Sequence, residues 1–238
     1  MTLHAAGKYY WTAIYSGDAN NLKASTACGA EVLTVVPQPS IDTQFTVFSA
    51  SSTTAKVSTT VAGDILVALV AARGPAAGGQ TVTVSGGGLA WHLVGRENAG
   101  RGDAEIWTAT AAGILKGVSV KAAAKTGGFT VTMTIMAMEH ATGTGALAAA
   151  TATSGAPKVT AKTTHIDAWV IAMADDWTHS VTPKPVAGQY VVSHVVDSTD
   201  TFWVQATLSP AQTAGTSVPI SDTTPTTDPH DMIAFEVF

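Results

Sequence analysis

Histidine and carboxylate side chains are the groups in this sequence that could do chemistry. The chain of 238 residues has seven His and 17 Asp or Glu against 12 Lys or Arg. Neutral imidazole together with carboxylate is the ligand set of zinc and related ions. The metalloprotease pattern H-E-x-x-H does not occur, so a His/carboxylate site would have to be assembled from loops that lie far apart along the chain.

Strand counting predicts two such loop clusters, one at each end of the fold. In an antiparallel sandwich each connection reverses the chain direction, so successive loops alternate between the ends. Counting from a strand predicted at 168–173 places six residues at one end: His165, Asp197, Asp200, Asp228, His230 and Asp231. It places five at the other end: Glu139, His140, Asp175, Asp176 and His179. Each cluster is a predicted metal site.

Two metals and a metal-free alternative are compatible with these loops. Zinc with an open coordination position would activate a water for hydrolysis of an ester, phosphoester or amide, with one carboxylate as general base. Calcium would be held by carboxylates and carbonyls, and would be structural or bridge a sugar. Without a cofactor, the same residues are simply the few charged side chains of a low-charge fold, which lie in loops because loops face the solvent.

Trp177 marks a candidate binding surface for sugars. It lies in a predicted loop, with Asp175 and Asp176 before it and His179 after it. An aromatic ring beside hydrogen-bonding groups can hold a sugar ring by stacking. The alternative is that the loop folds Trp177 back over the sheet. No catalytic residue is predicted, because the pattern G-x-S-x-G is absent and the single cysteine, Cys28, has no histidine near it in the sequence.

Alternation of apolar and polar residues predicts that these loops join β-strands. It is clear at 43–48, 80–84, 117–120 and 129–135, and period two is the pattern of a half-buried strand. Further strand candidates are 64–71, 89–96, 105–110, 158–163, 168–173, 190–196, 201–208, 216–220 and 232–238. No long segment has helical periodicity. The sequence therefore predicts an all-β fold, an antiparallel two-sheet sandwich like a jelly roll, preceded by a short β-ribbon.

Composition excludes several classes of protein. Only 12% of the residues are charged while 46% are apolar, which indicates a folded chain rather than a disordered one. The longest strongly apolar run, 65–72, is too short to span a membrane, and 1–11 does not have the pattern of a signal peptide. A net charge of −5 gives no basic surface for nucleic acid, and one cysteine forbids an intrachain disulfide.

Two prolines mark a boundary between two parts of the chain. Pro37 and Pro39 lie two residues apart, and prolines interrupt backbone hydrogen bonding and favour an extended linker. The predicted organisation is a β-ribbon at 1–36, a linker at 37–40 and a β-sandwich domain at 41–238.

Within the ribbon, the segments 7–21 (GKYYWTAIYSGDANN) and 28–35 (CGAEVLTV) form a specific pattern. They resemble the last strands of a bacterial immunoglobulin-like repeat, a domain of about 100 residues. A fragment this short lacks most of its core partners. We therefore expect it to dock on the larger domain or to pair with the same segment of a second chain in a homodimer. The resemblance also implies a longer parent protein that is secreted or displayed on the cell surface.

In the larger domain, the segments 63–70 (GDILVALV), 89–94 (LAWHLV) and 104–109 (AEIWTA) resemble a β-sandwich module of secreted and cell-surface bacterial proteins. The segments 200–205 (DTFWVQ) and 234–237 (AFEV) continue the resemblance. It implies a module that binds polysaccharide or another surface ligand. The His and acidic residues at 139–140, 165 and 228–231 depart from the pattern of such modules, and they motivate the alternative hypothesis of a metal-dependent hydrolase.

Overall fold

The computed structural model describes residues 6–198 and 200–238, and every regular element among them is a β-strand. The predicted all-β, antiparallel sandwich is confirmed. Contacts divide the chain into two compact units, Met1–Gln38 and Pro39–Phe238. Among the described residues, no helix has the length and apolar character needed to cross a membrane.

The first unit is the predicted β-ribbon, built from two short ladders. Its strands are β1 (Gly7–Trp11), β2 (Ile14–Tyr15), β3 (Ala24–Ser25) and β4 (Glu31–Val35). Strand β1 pairs with β4, and β2 pairs with β3. In the turn between the inner strands, Asp18 accepts hydrogen bonds from the backbone N–H groups of Asn20 and Asn21. The first five residues of the predicted 1–36 segment lie outside the described residues.

The second unit consists of two consecutive runs of eight strands. The first run is β5 (Ser40–Ala50), β6 (Ser52–Val57), β7 (Ile65–Arg73), β8 (Val82–Gly86), β9 (His92–Glu97), β10 (Gly102–Thr110), β11 (Val118–Ala124) and β12 (Thr130–Glu139). The second run is β13 (Thr144–Ala152), β14 (Lys158–Lys162), β15 (Trp169–Asp176), β16 (Lys184–Pro185), β17 (Gln189–Asp197), β18 (Asp200–Thr207), β19 (Ser217–Thr224) and β20 (His230–Val237). We call these runs the two halves of the unit.

Both halves have the same strand order. The first half forms a five-stranded sheet, β5-β12-β7-β10-β9, and a three-stranded sheet, β6-β11-β8. The second half forms β13-β20-β15-β18-β17 and β14-β19-β16, so adding eight to each strand number of the first half reproduces the second. The sandwich of this unit therefore has four sheets where two were predicted. The sequence pattern did not indicate β6, β13 and β16, which are short or rich in Ala and Thr. Without these three strands, the shared strand order of the two halves cannot be recognised from the sequence.

Three apolar cores hold these four sheets together. The central core lies between the two five-stranded sheets and contains large buried side chains from both halves, among them Leu69, Met136 and Phe235. Each outer core lies between a five-stranded sheet and the three-stranded sheet of the same half. The middle strands β7 and β15 are therefore buried on both faces, which explains their nearly continuous apolar sequences.

Candidate functional site

Most of the predicted site residues lie together at one end of the second unit, which we call the acid end. This end is formed where β15 and β17 finish and where β18 and β20 begin. Asp175 is paired in register with Asp231, and Asp176 is paired with His230. The predicted residues found here are Asp175, Asp176, His179, Asp197, Asp200, Asp228, His230 and Asp231.

The predicted distribution between the two ends is wrong. His165, Glu139 and His140 lie at the opposite end, where β12 and β20 finish and β15 begins. The strand count failed because β16 adds one reversal between β15 and β17, and β13 adds one before β14. At this opposite end His165 stacks on the ring of Phe238 at 3.3 Å, and Ser40 donates a hydrogen bond to Glu139.

Three carboxyl groups of the acid end face the central core. Asp175, Asp200 and Asp231 alternate with apolar residues of that core on β15, β18 and β20, so their side chains point towards the first half. Each is at most 3% exposed. The carboxyl oxygens of Asp175 and Asp231 make no hydrogen bond of ordinary geometry among the described residues, although Thr151 and the backbone of Gly100 and Gly102 lie close enough to lower the pKa of Asp231. Arg73 of the first half lies 3.3 Å from Asp200 and joins the two halves.

Glycines of the first half make room for these carboxyl groups. A Cβ atom on Gly102 would lie 1.6 Å from Oδ2 of Asp175. A Cβ atom on Gly100 would lie 2.8 Å from Oδ2 of Asp231. Any larger residue at either position would collide with a buried carboxyl group, so the close approach of the halves at the acid end requires glycine here.

Burial raises the pKa values of the three inner carboxyl groups. It is the largest cause that raises the pKa of Asp175 well above its usual value, and the neighbouring Asp231 and Asp176 raise it further. Burial also raises the pKa of Asp200 to about 6, against the opposing effect of Arg73. It raises the pKa of Asp231 to about 6 as well. A neutral carboxyl group is far cheaper to bury than a carboxylate, so these groups can remain enclosed between the halves.

A second set of acid-end residues points to the other face of the same sheet. Nδ1 of His179 lies 2.8 Å from Oδ1 of Asp228, and Nδ1 of His230 lies 3.2 Å from the backbone oxygen of Asp228. Burial raises the pKa of Asp176 to about 6, while the N–H of Thr178 opposes that rise. His179 is 68% exposed in its side chain. The Asp228 carboxylate thus orients an imidazole at the surface, as in many His/Asp pairs.

The two sets do not combine into a metal centre. Within residues 6–198 and 200–238, no group of three or more His, Cys, Asp or Glu side chains is arranged to hold a metal ion. The reason is the direction in which alternate side chains of each strand point. Consecutive residues of a strand point to opposite faces, so Asp175 and Asp231 face the central core while Asp176 and His230 face the outer core of the second half.

The predicted sugar platform at Trp177 is mostly covered. Trp177 is half-buried, and a Cβ atom on Gly100 would lie 2.5 Å from Cη2 of its ring, so the indole packs against the backbone of that loop. Asp175 and Asp176 are buried. Of the four residues predicted to bind a sugar here, only His179 is exposed.

The structure contains a second buried carboxyl pair, Asp103 and Glu105 of β10. Glu105 accepts hydrogen bonds from the backbone N–H of Val82 and from the side chains of Arg96 and Trp107. Burial, followed by the charge of Glu105, raises the pKa of Asp103 to about 10. These contacts tie β8 and β9 to β10, so the pair supports the fold of the first half.

A polar groove lies at the end opposite the acid end, which we call the groove end. Its volume is about 370 Å³, and it is lined by Ile65, Ala90, His92, Thr108, Ala109, Thr110, Thr142, Gly143 and Thr144. In the part of the chain that the structure describes, His92 and the hydroxyls of Thr108, Thr110 and Thr144 have no hydrogen-bond partner. No Asp, Glu, Lys or Arg lines this groove.

Sequence reasoning missed this groove, although part of its pattern is visible. Thr108 and Thr110 alternate on β10, and His92 is paired with Thr108 across to β9. The third wall comes from Thr144, at the start of β13, which is distant in sequence and belongs to the other half. Threonine is common on exposed strand faces, so such residues do not by themselves indicate a site.

No protein-family model, curated protein or solved structure matches this chain.

Proposed function

We propose that residues 39–238 form a noncatalytic module that binds a neutral polysaccharide of a secreted or cell-surface setting in the groove of the groove end. The observation that carries the proposal is the set of unpartnered hydroxyl and imidazole groups at Thr108, Thr110, Thr144 and His92. The secreted setting follows from the resemblance of both parts of the sequence to modules of bacterial surface proteins.

The chemistry of the groove favours a polyhydroxylated ligand. Each threonine hydroxyl can donate one hydrogen bond and accept others, and a sugar hydroxyl has the same capacity. These groups lie on strands β9, β10 and β13 or next to them, so they are held by the sheets and need little ordering when a ligand binds.

The absence of charged residues from the groove lining favours an uncharged ligand. A groove without carboxylate or cationic side chains offers no ion pair to an acidic or basic polymer. Binding of a neutral polymer should therefore change little with salt, since screening acts on charges. The covered indole of Trp177 and the buried Asp175 make the acid end a poorer candidate for direct contact.

Pull-down with insoluble neutral polysaccharides tests the proposal. The test variant is Thr108→Val/Thr144→Val, because valine has nearly the shape of threonine and removes only the hydroxyl. We expect this variant to lose about tenfold or more in affinity, as two hydrogen bonds contribute about 1 kcal/mol each. The control is Thr83→Val, on an exposed position of β8 in the three-stranded sheet, which should bind as the unmodified protein does.

Two outcomes would overturn the proposal. One is that the unmodified protein is retained by none of the neutral polysaccharides tested. The other is retention that the double variant leaves unchanged, because the ligand would then be bound elsewhere.

A further inference from the structure

A second cavity opens at the groove end, on the other margin of the central core. Its volume is about 190 Å³, and its walls include Ile41, Met136, Met138, Trp169, Ile171 and Tyr190. Met136 and Met138 belong to the first half, while Trp169, Ile171 and Tyr190 belong to the second. The cavity is therefore a gap between the two five-stranded sheets, separate from the threonine-lined groove.

This gap interrupts an otherwise closely packed core. Protein interiors contain few voids larger than a water molecule, which occupies roughly 30 Å³. Met136 on one side of the cavity and Ile171 on the other are at most 1% exposed. The apolar walls of such a cavity gain dispersion contacts when a molecule of matching size enters.

Hydrogen bonds across the sheets hold the cavity open. On its acid-end side, Nε2 of Gln44 donates to the backbone oxygen of Val192, and the hydroxyls of Thr134 and Ser193 lie 2.7 Å apart. These two contacts fix the spacing of β5 and β12 against β17. The walls are thus set by the fold before any ligand arrives.

Two ring side chains of the cavity have polar groups without partners. The indole N–H of Trp169 is buried and has no hydrogen-bond partner among the described residues. The hydroxyl of Tyr190 likewise makes no hydrogen bond in the described part of the chain. An unpaired buried donor is costly, and both groups can donate to an acceptor on a ligand.

We propose that this cavity binds a compact apolar molecule of about one ring that carries a single oxygen acceptor. The apolar body of the ligand packs against Met136, Met138 and Ile171. Its oxygen accepts a hydrogen bond from the hydroxyl of Tyr190. The methionines suit such a ligand because their flexible, polarizable side chains adapt to irregular shapes. This site is independent of the proposed polysaccharide groove.

Two matched probes test the proposal on the whole chain. Cyclohexanone has the ring and the acceptor, and methylenecyclohexane has nearly the same shape without the oxygen. Binding is measured by ligand-observed saturation-transfer NMR and by the quenching of tryptophan fluorescence. We expect cyclohexanone to bind with a dissociation constant of about 1 mM and at least about fivefold more tightly than methylenecyclohexane.

Variants assign the binding to the cavity. Tyr190→Phe removes only the hydroxyl and should bring the two probes to within about twofold of each other. Ala206→Leu places extra methyl groups in the cavity wall and should abolish binding of both probes. The matched control, Ala149→Leu on an exposed position of β13, should bind like the unmodified protein.

Three results would overturn the proposal. The first is that the unmodified protein does not bind cyclohexanone. The second is that it binds cyclohexanone and methylenecyclohexane with equal affinity. The third is that Tyr190→Phe still prefers cyclohexanone as strongly as the unmodified protein does. Because Tyr190→Phe keeps the apolar packing of the ring, its result stands even if Ala206→Leu does not fold.

Discussion

The acid end and the groove end close the same interface between two sheets of identical strand order, but with opposite chemistry. At the acid end, carboxyl groups of the second half pack against glycine backbone of the first, and Arg73 joins Asp200. At the groove end, the sheets separate around a polar groove and an apolar cavity. One end is closed by buried polar groups, and the other leaves polar groups free.

This difference suggests that the two ends have different roles, one structural and one in binding. Buried carboxyl groups are costly, and at the acid end the pair of Arg73 and Asp200 links the two halves. Unpaired hydroxyls cost little while they remain in water, and they become useful when a ligand is bound. Perturbed pKa values alone would favour the acid end as the functional site, whereas our proposal places the ligand at the opposite end.

The largest expected effect comes from filling the closest approach at the acid end. Gly102→Ala should destabilise the second unit by about 3 kcal/mol, because the new Cβ atom has to displace buried Asp175 or the strand itself. Gly113→Ala is the matched control, since nothing lies within 4 Å of a Cβ atom there. Urea unfolding measures both variants. Equal stability of Gly102→Ala and Gly113→Ala would mean that the halves do not meet closely at this end.

Glu236 gives a contrasting carboxylate at the groove end. It accepts hydrogen bonds from the backbone N–H groups of Ala146, Thr164 and His165 and from the Thr164 hydroxyl. Burial raises its pKa, but these donors together hold the pKa below its usual value. Its stabilising contribution is therefore complete above about pH 4.5 and is lost as the pH falls through the folded-state pKa.

Glu236→Gln should accordingly cost about 2 kcal/mol at pH 7, because the amide cannot accept from all these donors. The cost should shrink as the pH falls through the folded-state pKa of Glu236, because the glutamate itself then becomes protonated. Urea unfolding of both proteins at pH 7 and at pH 3.5 measures the change. A cost that is the same at both pH values would show that the charge of Glu236 contributes nothing.

The pH dependence of stability should have the opposite sign at the acid end. The folded-state pKa values of Asp200 and Asp231, about 6, lie above those of the unfolded chain. Their stabilising contribution is complete below about pH 4 and is lost as the pH rises through about 6. After allowance for solvent screening we expect a loss of about 1 to 2 kcal/mol between pH 5 and pH 8.

Asp231→Asn assigns this loss to the acid end. The amide is neutral at every pH, so the variant should lose about 1 kcal/mol less than the unmodified protein over the same range. Unfolding free energies at pH 5 and pH 8 provide the comparison. A variant with an unchanged pH profile would show that Asp231 is not the titrating group.

The smallest expected effect is that of metal ions. No group of three or more His, Cys, Asp or Glu side chains among the described residues is arranged to hold a metal ion, so neither EDTA nor millimolar Ca²⁺ or Zn²⁺ should shift the melting temperature measurably. A bound ion would stabilise the folded state by an amount that grows with the logarithm of its concentration over the dissociation constant. Elemental analysis of protein purified without a His tag is the complementary measurement. A stoichiometric metal would revive the hydrolase hypothesis and remove the contrast between the two ends.

The sequence was a good guide to the strands with strong alternation or continuous apolar character. Strand β7 is an unbroken apolar run, and β12 alternates Thr with larger side chains before ending in Glu139, so both were predictable. Strand β13 reads TGALAAATA, in which small residues weaken every periodic signal. Strand β16 has two residues and leaves no periodicity at all.

Those missed strands also determined which parts of the site could be predicted. That His and Asp residues would gather in loops followed from their types, and Asp197 and Asp200 share a hairpin as expected. Which loops share an end depends on the number of reversals, and β16 changes that number. The neighbours of Asp231 and Asp175 across the interface, Gly100 and Gly102 respectively, could not be predicted because packing between the halves is not visible in a single sequence.

Hydrogen–deuterium exchange with and without the neutral polysaccharide retained in the pull-down tests the central claim most directly. We expect slower exchange at 90–94, 108–111 and 142–145, which surround the groove, and unchanged exchange at 175–179 and 228–231. Protection confined to 175–179 and 228–231 would contradict it, because the ligand would then lie at the acid end.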